Sequence, residues 1–316
     1  MRSRPLPPRL HRTLAALVCA ALVGCSAAGG GPAGPETTSG EEAASVEFEG
    51  QVTDQYSREA LGGIRIVASG ASTATDMDGR FRIAAARGAA ITLSGPGYYE
   101  RVTTLEGLSG RFSLVPRSFD MAAFNDVARD HSAGTLRWLS APAVYVDIRG
   151  HSFAAGRSVP QQWVEEVAAL APEFIAGWTG GALSARSVTV GSTPPSLGTP
   201  GTLVIVFDED PSRYPSAAAA GSAIASWSRD GVIGSATVRL RFSGLTDGAA
   251  AFSRKAVLGH EIGHALGLAH MDGSTSSMMA PVVRTPELTA FDRGIGALLY
   301  DRRPGTRADD REAAAS

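Results

Sequence analysis

The chain has 316 residues, 44% of them hydrophobic and 19% charged, with a formal net charge of −2. That composition supplies one or two packed cores and excludes a chain disordered throughout. The near-neutral balance, with no basic tail, excludes an electrostatically driven nucleic-acid partner. The first element along the chain is a targeting segment. Arg2, Arg4, Arg9 and Arg12 give it a positive start, and residues 14–23 form an apolar run too short to span a bilayer. The cysteines are Cys19, inside this segment, and Cys25 just after it, so the rest of the chain holds no disulfide.

Cys25 closes the tetrapeptide Leu22-Val23-Gly24-Cys25. This resembles the lipobox of bacterial lipoproteins, and the resemblance makes residues 1–25 a lipoprotein signal peptide. It implies cleavage before Cys25, lipid on its sulfur, and export to a bacterial membrane with the chain facing the periplasm or the cell exterior. The alternative is an ordinary secretory signal that happens to contain a cysteine. Residues 26–45 are mainly Gly, Ala, Pro, Ser and Glu, a flexible linker with too little apolar surface to order itself. Its typical end-to-end distance is roughly 25 Å.

Residues 46–117 consist of short runs (VEFEGQV, GIRIVAS, GRFRIAA, AAITLSG, GRFSLVP) punctuated by Gly and Asp, the pattern of an all-β sandwich. Asp76, Asp78 and Gly79 mark a turn rather than a calcium loop, because the fifth and twelfth places counted from Asp76 are Arg80 and Arg87. Gly50, Val52 and Asp54, then ATDMDGRF (74–81), then Gly97-Tyr98 are similar to carboxypeptidase regulatory-like domains. That resemblance implies a transthyretin-like sandwich, serving as a spacer or docking domain with no chemistry of its own.

From 118 to 305 helix and strand patterns alternate. VYVDI (144–148) alternates as a strand. Ser158 and Pro160 suit a helix start, Val164, Val167, Phe174, Ile175 and Trp178 follow at helical spacing, Pro172 predicts a kink, and Gly180-Gly181 a stop. SVTV (187–190) and TLVIVF (202–207) read as strands, the second apolar without a break and therefore central. In SATVRLRF (235–242), Ala236, Val238, Leu240 and Phe242 alternate with Thr237, Arg239 and Arg241. This predicts an edge strand with one solvated face, where an extended substrate adds by β-pairing. Leu258, Ile262, Ala265 and Leu266 fall on one apolar helical stripe. Thr285-Pro286-Glu287 signals a last helix with Leu288, Phe291, Ile295 and Leu298 inward. Residues 301–316 are polar and loose, with 306–316 a disordered tail.

The chemistry lies in HEIGHALGLAH (260–270), which holds three of the six histidines. His260 and His264 are four apart, so on a helix their rings share a face and both reach one zinc. Glu261 sits roughly 100° round the helix, a poor ligand but well placed to act as base toward a water on the metal's open side. His270 lies too far along for the same face. Gly267 lets the helix end and the chain turn back, so that His270 becomes the third ligand.

This string resembles the metzincin signature H-E-x-x-H-x-x-G-x-x-H. Met279-Ala280-Pro281 is similar to the methionine turn of the matrixin branch, which makes Met279 the hydrophobic floor under the metal, with Met278 its rival. Leu288-Thr289, Asp292 and Leu299-Tyr300 are similar to the matrixin closing helix. The expected molecule is multidomain: a small all-β sandwich followed at 118–305 by an α+β metzincin-type catalytic domain, a mixed twisted sheet with an active-site helix. The resemblance implies a zinc endopeptidase acting on proteins or peptides, with one catalytic Zn²⁺. The alternative is a surface-anchored binding module whose zinc is structural or inactive. The pro-segment cysteine and structural-zinc histidines of matrixins are not apparent: His11 lies in the signal, and His131 and His151 read as surface or loop residues. Asp208-Glu209-Asp210 has oxygen ligands of the kind matrixins use for Ca²⁺, but reads first as an ordinary acidic loop.

Overall fold

The computed structural model describes residues 45–129, 133–154, 157–242, 245, 250–271, 277–283 and 285–307. The signal segment, Cys25, nearly all of the linker and His131 lie outside them. Two hydrophobic cores share one compact unit.

The first core is a sandwich. β1 (Ser45–Asp54) pairs antiparallel with β4 (Arg80–Ala86) and parallel with β7 (Ser109–Leu114). Facing it is a four-stranded sheet of β2 (Arg65–Ala68), β3 (Ala71–Ala74), β5 (Ala90–Ser94) and β6 (Arg101–Thr104), in the order β3-β2-β5-β6. The alternation in the sequence sends Phe48, Phe81, Ile83 and Phe112 inward from one sheet and Ile66, Ile91 and Leu93 from the other. The three phenylalanine rings meet at centroid distances of 6.0–6.2 Å. The Asp76 carboxylate accepts from the backbone N–H of Asp78 (3.0 Å) and Arg80 (2.7 Å), so this aspartate does turn work, as its neighbours predict.

The second core is built on a mixed sheet. Its strands are β8 (Ala143–His151), β9 (Ser187–Gly191), β10 (Thr202–Asp208), β11 (Gly221–Trp227) and β12 (Ile233–Leu240), ordered β11-β12-β10-β8-β9 with β11 alone antiparallel. β10 is central, as its unbroken apolar run requires. β12 corrects the expectation of an edge: it lies between β10 and β11, and β11 is the edge strand. Its polar face arises because Thr237 and Arg239 line a cleft, not because the strand lies at the rim.

One face of this sheet is covered by α2 (Gln161–Trp178) and α3 (Ala250–Ala265), with α1 (Met121–Ala128) and α4 (Ala290–Asp301) in the same core. α2 is capped at Pro160 without a side-chain bond, so Ser158 is not its cap, and it runs through Pro172 unbroken. α4 starts later than Thr285-Pro286-Glu287 suggests, at a capping box in which Thr289 and Asp292 satisfy each other's backbone N–H. Glu166 of α2 and Arg254 of α3 form a fork-to-fork pair with both contacts at 2.7 Å.

The two cores are joined by buried polar contacts. Arg302, 0% exposed, donates to Ser113 Oγ (3.0 Å) and Gln55 Oε1 (3.3 Å) of the sandwich and pairs with Asp301. Arg101 of β6 reaches the same Asp301 (3.7 Å) and the Ser113 carbonyl (3.1 Å). Beside them Phe119 stacks between Tyr56 and Phe291. The expected loose tail is therefore corrected for residues 301–307: Thr306 is buried, with its carbonyl accepting from Thr135 N–H (3.0 Å). Polar composition misleads there because the polar groups are paired inside.

Arg302→Ala leaves buried acceptors without their donor and should cost roughly 3 kcal/mol of stability. All four tryptophans lie beyond residue 117, so urea unfolding followed by tryptophan fluorescence and by far-UV circular dichroism tests this. The two curves should coincide in the parent chain and separate in the variant. For the Glu166–Arg254 pair, the arginine's hydrogen bonds hold the Glu166 carboxyl below its ordinary range. A depressed folded value adds stability above the unfolded carboxylate pKa of about 4.3, lost as pH falls through the folded value. The stability gap between the parent chain and Glu166→Gln should thus be full at neutral pH and close in acid, read by denaturant melts across that range.

Candidate metal centre and active site

α3 delivers the first two imidazoles. Leu258, Ile262, Ala265 and Leu266 are buried against the core, and His260, Glu261 and His264 lie off that apolar stripe. The His260 Nε2 lies 3.0 Å from His264 Nε2 and 3.2 Å from His270 Nε2. A tetrahedral zinc with nitrogens at about 2.0–2.1 Å would hold them about 3.3 Å apart. Each α3 imidazole turns its other nitrogen to a carbonyl, His260 Nδ1 to Met278 O and His264 Nδ1 to Leu268 O, both at 2.7 Å. A carbonyl only accepts, so each Nδ1 carries the proton and each Nε2 presents a lone pair. Lone pairs aimed at one point fit a bound cation. Among the described residues this is the one cluster of three or more His, Cys, Asp or Glu that can hold a metal ion.

Burial lowers the His260 pKa to about 4, so at neutral pH no proton competes for its Nε2. Burial raises the Glu261 carboxyl to about 8. Its Oε2 is buried without a hydrogen-bond partner, and its other oxygen packs against Gly221 at the start of β11, where a Cβ would collide with it. Among the described residues no fourth protein ligand joins this cluster.

Gly267 makes the turn that the spacing predicts. Its φ is +102°, and a Cβ would strike the Leu136 carbonyl. Leu268 N–H bonds to Gly263 O and Gly267 N–H to His264 O, the two bonds of a Schellman cap. The remaining exposed carbonyls at this helix end find partners too: Trp138 Nε1 donates to Ala265 O (2.9 Å) and Tyr300 Oη to Leu266 O (3.0 Å). Trp178 Nε1 holds Gly259 O from α2 (2.9 Å). Truncating such a buried indole costs about 3–5 kcal/mol.

Met278 and Met279 are both buried. Met278 packs its sulfur where a side chain at Gly259 would stand, and Met279 does the same at Gly263. The contact explains why α3 carries two glycines on that flank. The turn holding these methionines is fixed by Asp292, which is 1% exposed and accepts from Ser277 Oγ, Met278 N–H, Thr289 N–H and Thr289 Oγ. From sequence Asp292 appears only as part of the closing-helix pattern. Its readable signal is the Thr-x-x-Asp spacing of the α4 cap. Trp138, Trp178 and Tyr300 carry no spacing signal for their role, because they reach α3 from distant segments. His151 is half-exposed, on β8 beside Asp147 (3.2 Å), away from the three imidazoles. Asp210 caps a 3₁₀ turn and so behaves as loop chemistry.

Two variants test the support of the centre. Gly267→Ala should lose roughly 1–2 kcal/mol from the left-handed backbone alone, with further loss from the Leu136 collision. Its melting temperature and its metal content after dialysis should both fall. Asp292→Ala leaves several donors unpaired and frees the Met278 carbonyl that orients His260; zinc affinity should drop by about 10–100-fold in a competition titration.

No curated protein matches the chain. Similar solved structures include a protein of unknown function from Bacteroides fragilis NCTC 9343, described as membrane-associated, at 14% identity over 43% of this chain and 45% of that one, with a TM-score of 0.20. Another is a streptococcal ancillary pilin, at 10% identity over 38% of this chain and 44% of that one, with a TM-score of 0.18. The chain spans less than half the length of either, and scores this low carry no argument. The family comparison is more direct: residues 182–294, which contain all three imidazoles, Glu261, Met279 and Asp292, match the matrixin family, so this part of the chain is a matrixin-like domain.

Proposed function

We propose that the chain is a zinc-dependent endopeptidase, held at a bacterial membrane by lipid on Cys25 and facing the periplasm or exterior, that hydrolyses peptide bonds in protein substrates. The observation that supports this best is the pairing of three convergent imidazole nitrogens with the buried, unpartnered Oε2 of Glu261. A purely structural metal would have no use for that oxygen. When bound, zinc supplies Lewis-acid polarisation of a carbonyl and of a water, and its charge draws Glu261 back toward the ionised form.

His260, His264 and His270 hold the ion. Glu261 removes a proton from water as the oxygen adds to the peptide carbonyl carbon. It returns that proton to the nitrogen as the C–N bond breaks, so the carboxylate ends as it began. The substrate lies along β11 rather than β12. β11 is the antiparallel edge of the sheet, its outer backbone is available for pairing, and its first residue, Gly221, touches the Glu261 carboxylate. Ile224 and Trp227 are exposed on the same strand.

Glu261→Gln should keep the fold and the zinc while peptide hydrolysis falls by about 10²–10⁴-fold. The measurement is cleavage of a generic protein substrate by parent and variant, each with metal content determined, and with chelator as a further arm. Chelator-sensitive cleavage in the parent that survives undiminished in the variant would remove Glu261 from its role. No cleavage by the metal-loaded parent would favour the binding-module alternative.

A further inference from the structure

The mixed sheet has a second face that takes no part in the centre described above. There β8, β10 and β12 line a cleft of about 350 Å³, with residues 194–197 as its wall. That volume is at the lower end of small-molecule sites. Its floor is apolar, made by Val204 and Val206. Above them stands Thr237, 7% exposed, whose hydroxyl has no hydrogen-bond partner among the described residues.

The charges of the cleft are unequal. Arg149 is committed to Asp147, with contacts of 2.7–3.1 Å. Arg239 is half-buried and makes no hydrogen bond or ion pair to any described residue. The third guanidinium of the lining, Arg213, pairs with Asp210 (3.7 Å), and the lining carboxylates are Asp147 and Asp208. Arg239 is thus the one guanidinium of the lining without an ion-pair partner among the described residues, and a single such group suits a monoanion better than a phosphate dianion. A guanidinium fork matches the planar geometry of a carboxylate.

We propose that this cleft binds a single carboxylate carried on an apolar body. Arg239 is its charge partner, the Thr237 hydroxyl donates to it, and Val204 and Val206 contact its apolar part. Two sources share this chemistry: a free small carboxylic acid, and the C-terminal carboxylate of a peptide ending in an apolar residue.

Calorimetric titration of the full zinc-loaded chain tests this with four probes: phenylacetate, acetyl-Ala-Phe with a free C-terminus, the same peptide amidated, and inorganic phosphate. The expected result is saturable binding of the carboxylates and not of the amide or phosphate. A tighter peptide identifies peptide ends as the source, and a tighter phenylacetate identifies the free acid. Arg239→Gln should weaken binding by about 10-fold or more. Thr237→Val, which keeps the buried shape, should weaken it several-fold. Protein hydrolysis should be unchanged in both, which separates this cleft from binding at the metal. Equal binding of acid and amide, preference for phosphate, no saturation at millimolar concentration, or unchanged affinity in Arg239→Gln would each overturn the proposal.

Discussion

Three imidazole nitrogens converge, two of them at 3.0–3.2 Å from His260 Nε2, and the inward lone pairs of His260 and His264 repel each other unless a cation lies between them. Much of the second module can be understood as the scaffold that makes the repulsion tolerable. Two carbonyls, from Met278 and Leu268, fix the tautomers so that the inward nitrogens cannot be the protonated ones. The Leu268 carbonyl is in place only because Gly267 takes a left-handed backbone, and the Met278 carbonyl only because Asp292 ties the methionine turn to the first turn of α4. Neither support is itself a ligand, yet each sets where a ligand points.

The parts of this that could be read from sequence are the local ones. Spacing alone gave His260, Glu261 and His264 a shared helical side, and gave Gly267 its turn. Alternation gave the sandwich strands their inward faces, from Phe48 to Phe112. What the sequence left hidden depends on partners distant along the chain. Trp138 and Tyr300 cap α3 from either side of it, and no periodicity announces such a bond. The alternation of 235–242 was legible but its cause was not: a polar face means solvent at an edge or a lined cleft inside, and the two look alike in one dimension. Arg302 shows the same ambiguity, since a charged residue near a terminus reads as solvated until its acceptors are known.

α4 connects the two halves of the molecule. At its start Asp292 holds the turn beneath the imidazoles, and at its end Asp301 and Arg302 enter the sandwich. It is 12 residues long, about 18 Å at 1.5 Å per residue, and it has a fixed attachment at each end. The sandwich is thus part of the frame that seats the methionine turn, even though none of its residues approaches the metal centre.

The burial of Arg302 has a consequence for how this chain came together. A junction near residue 117 looks like a place where modules could be exchanged freely during evolution. Yet the guanidinium finds Ser113 and Gln55 only on this sandwich. Grafting a different β-domain upstream would leave the guanidinium with Asp301 as its acceptor and without the sandwich oxygens unless the newcomer brought equivalents. The two folds are therefore matched to each other at this joint, and Arg302 marks it.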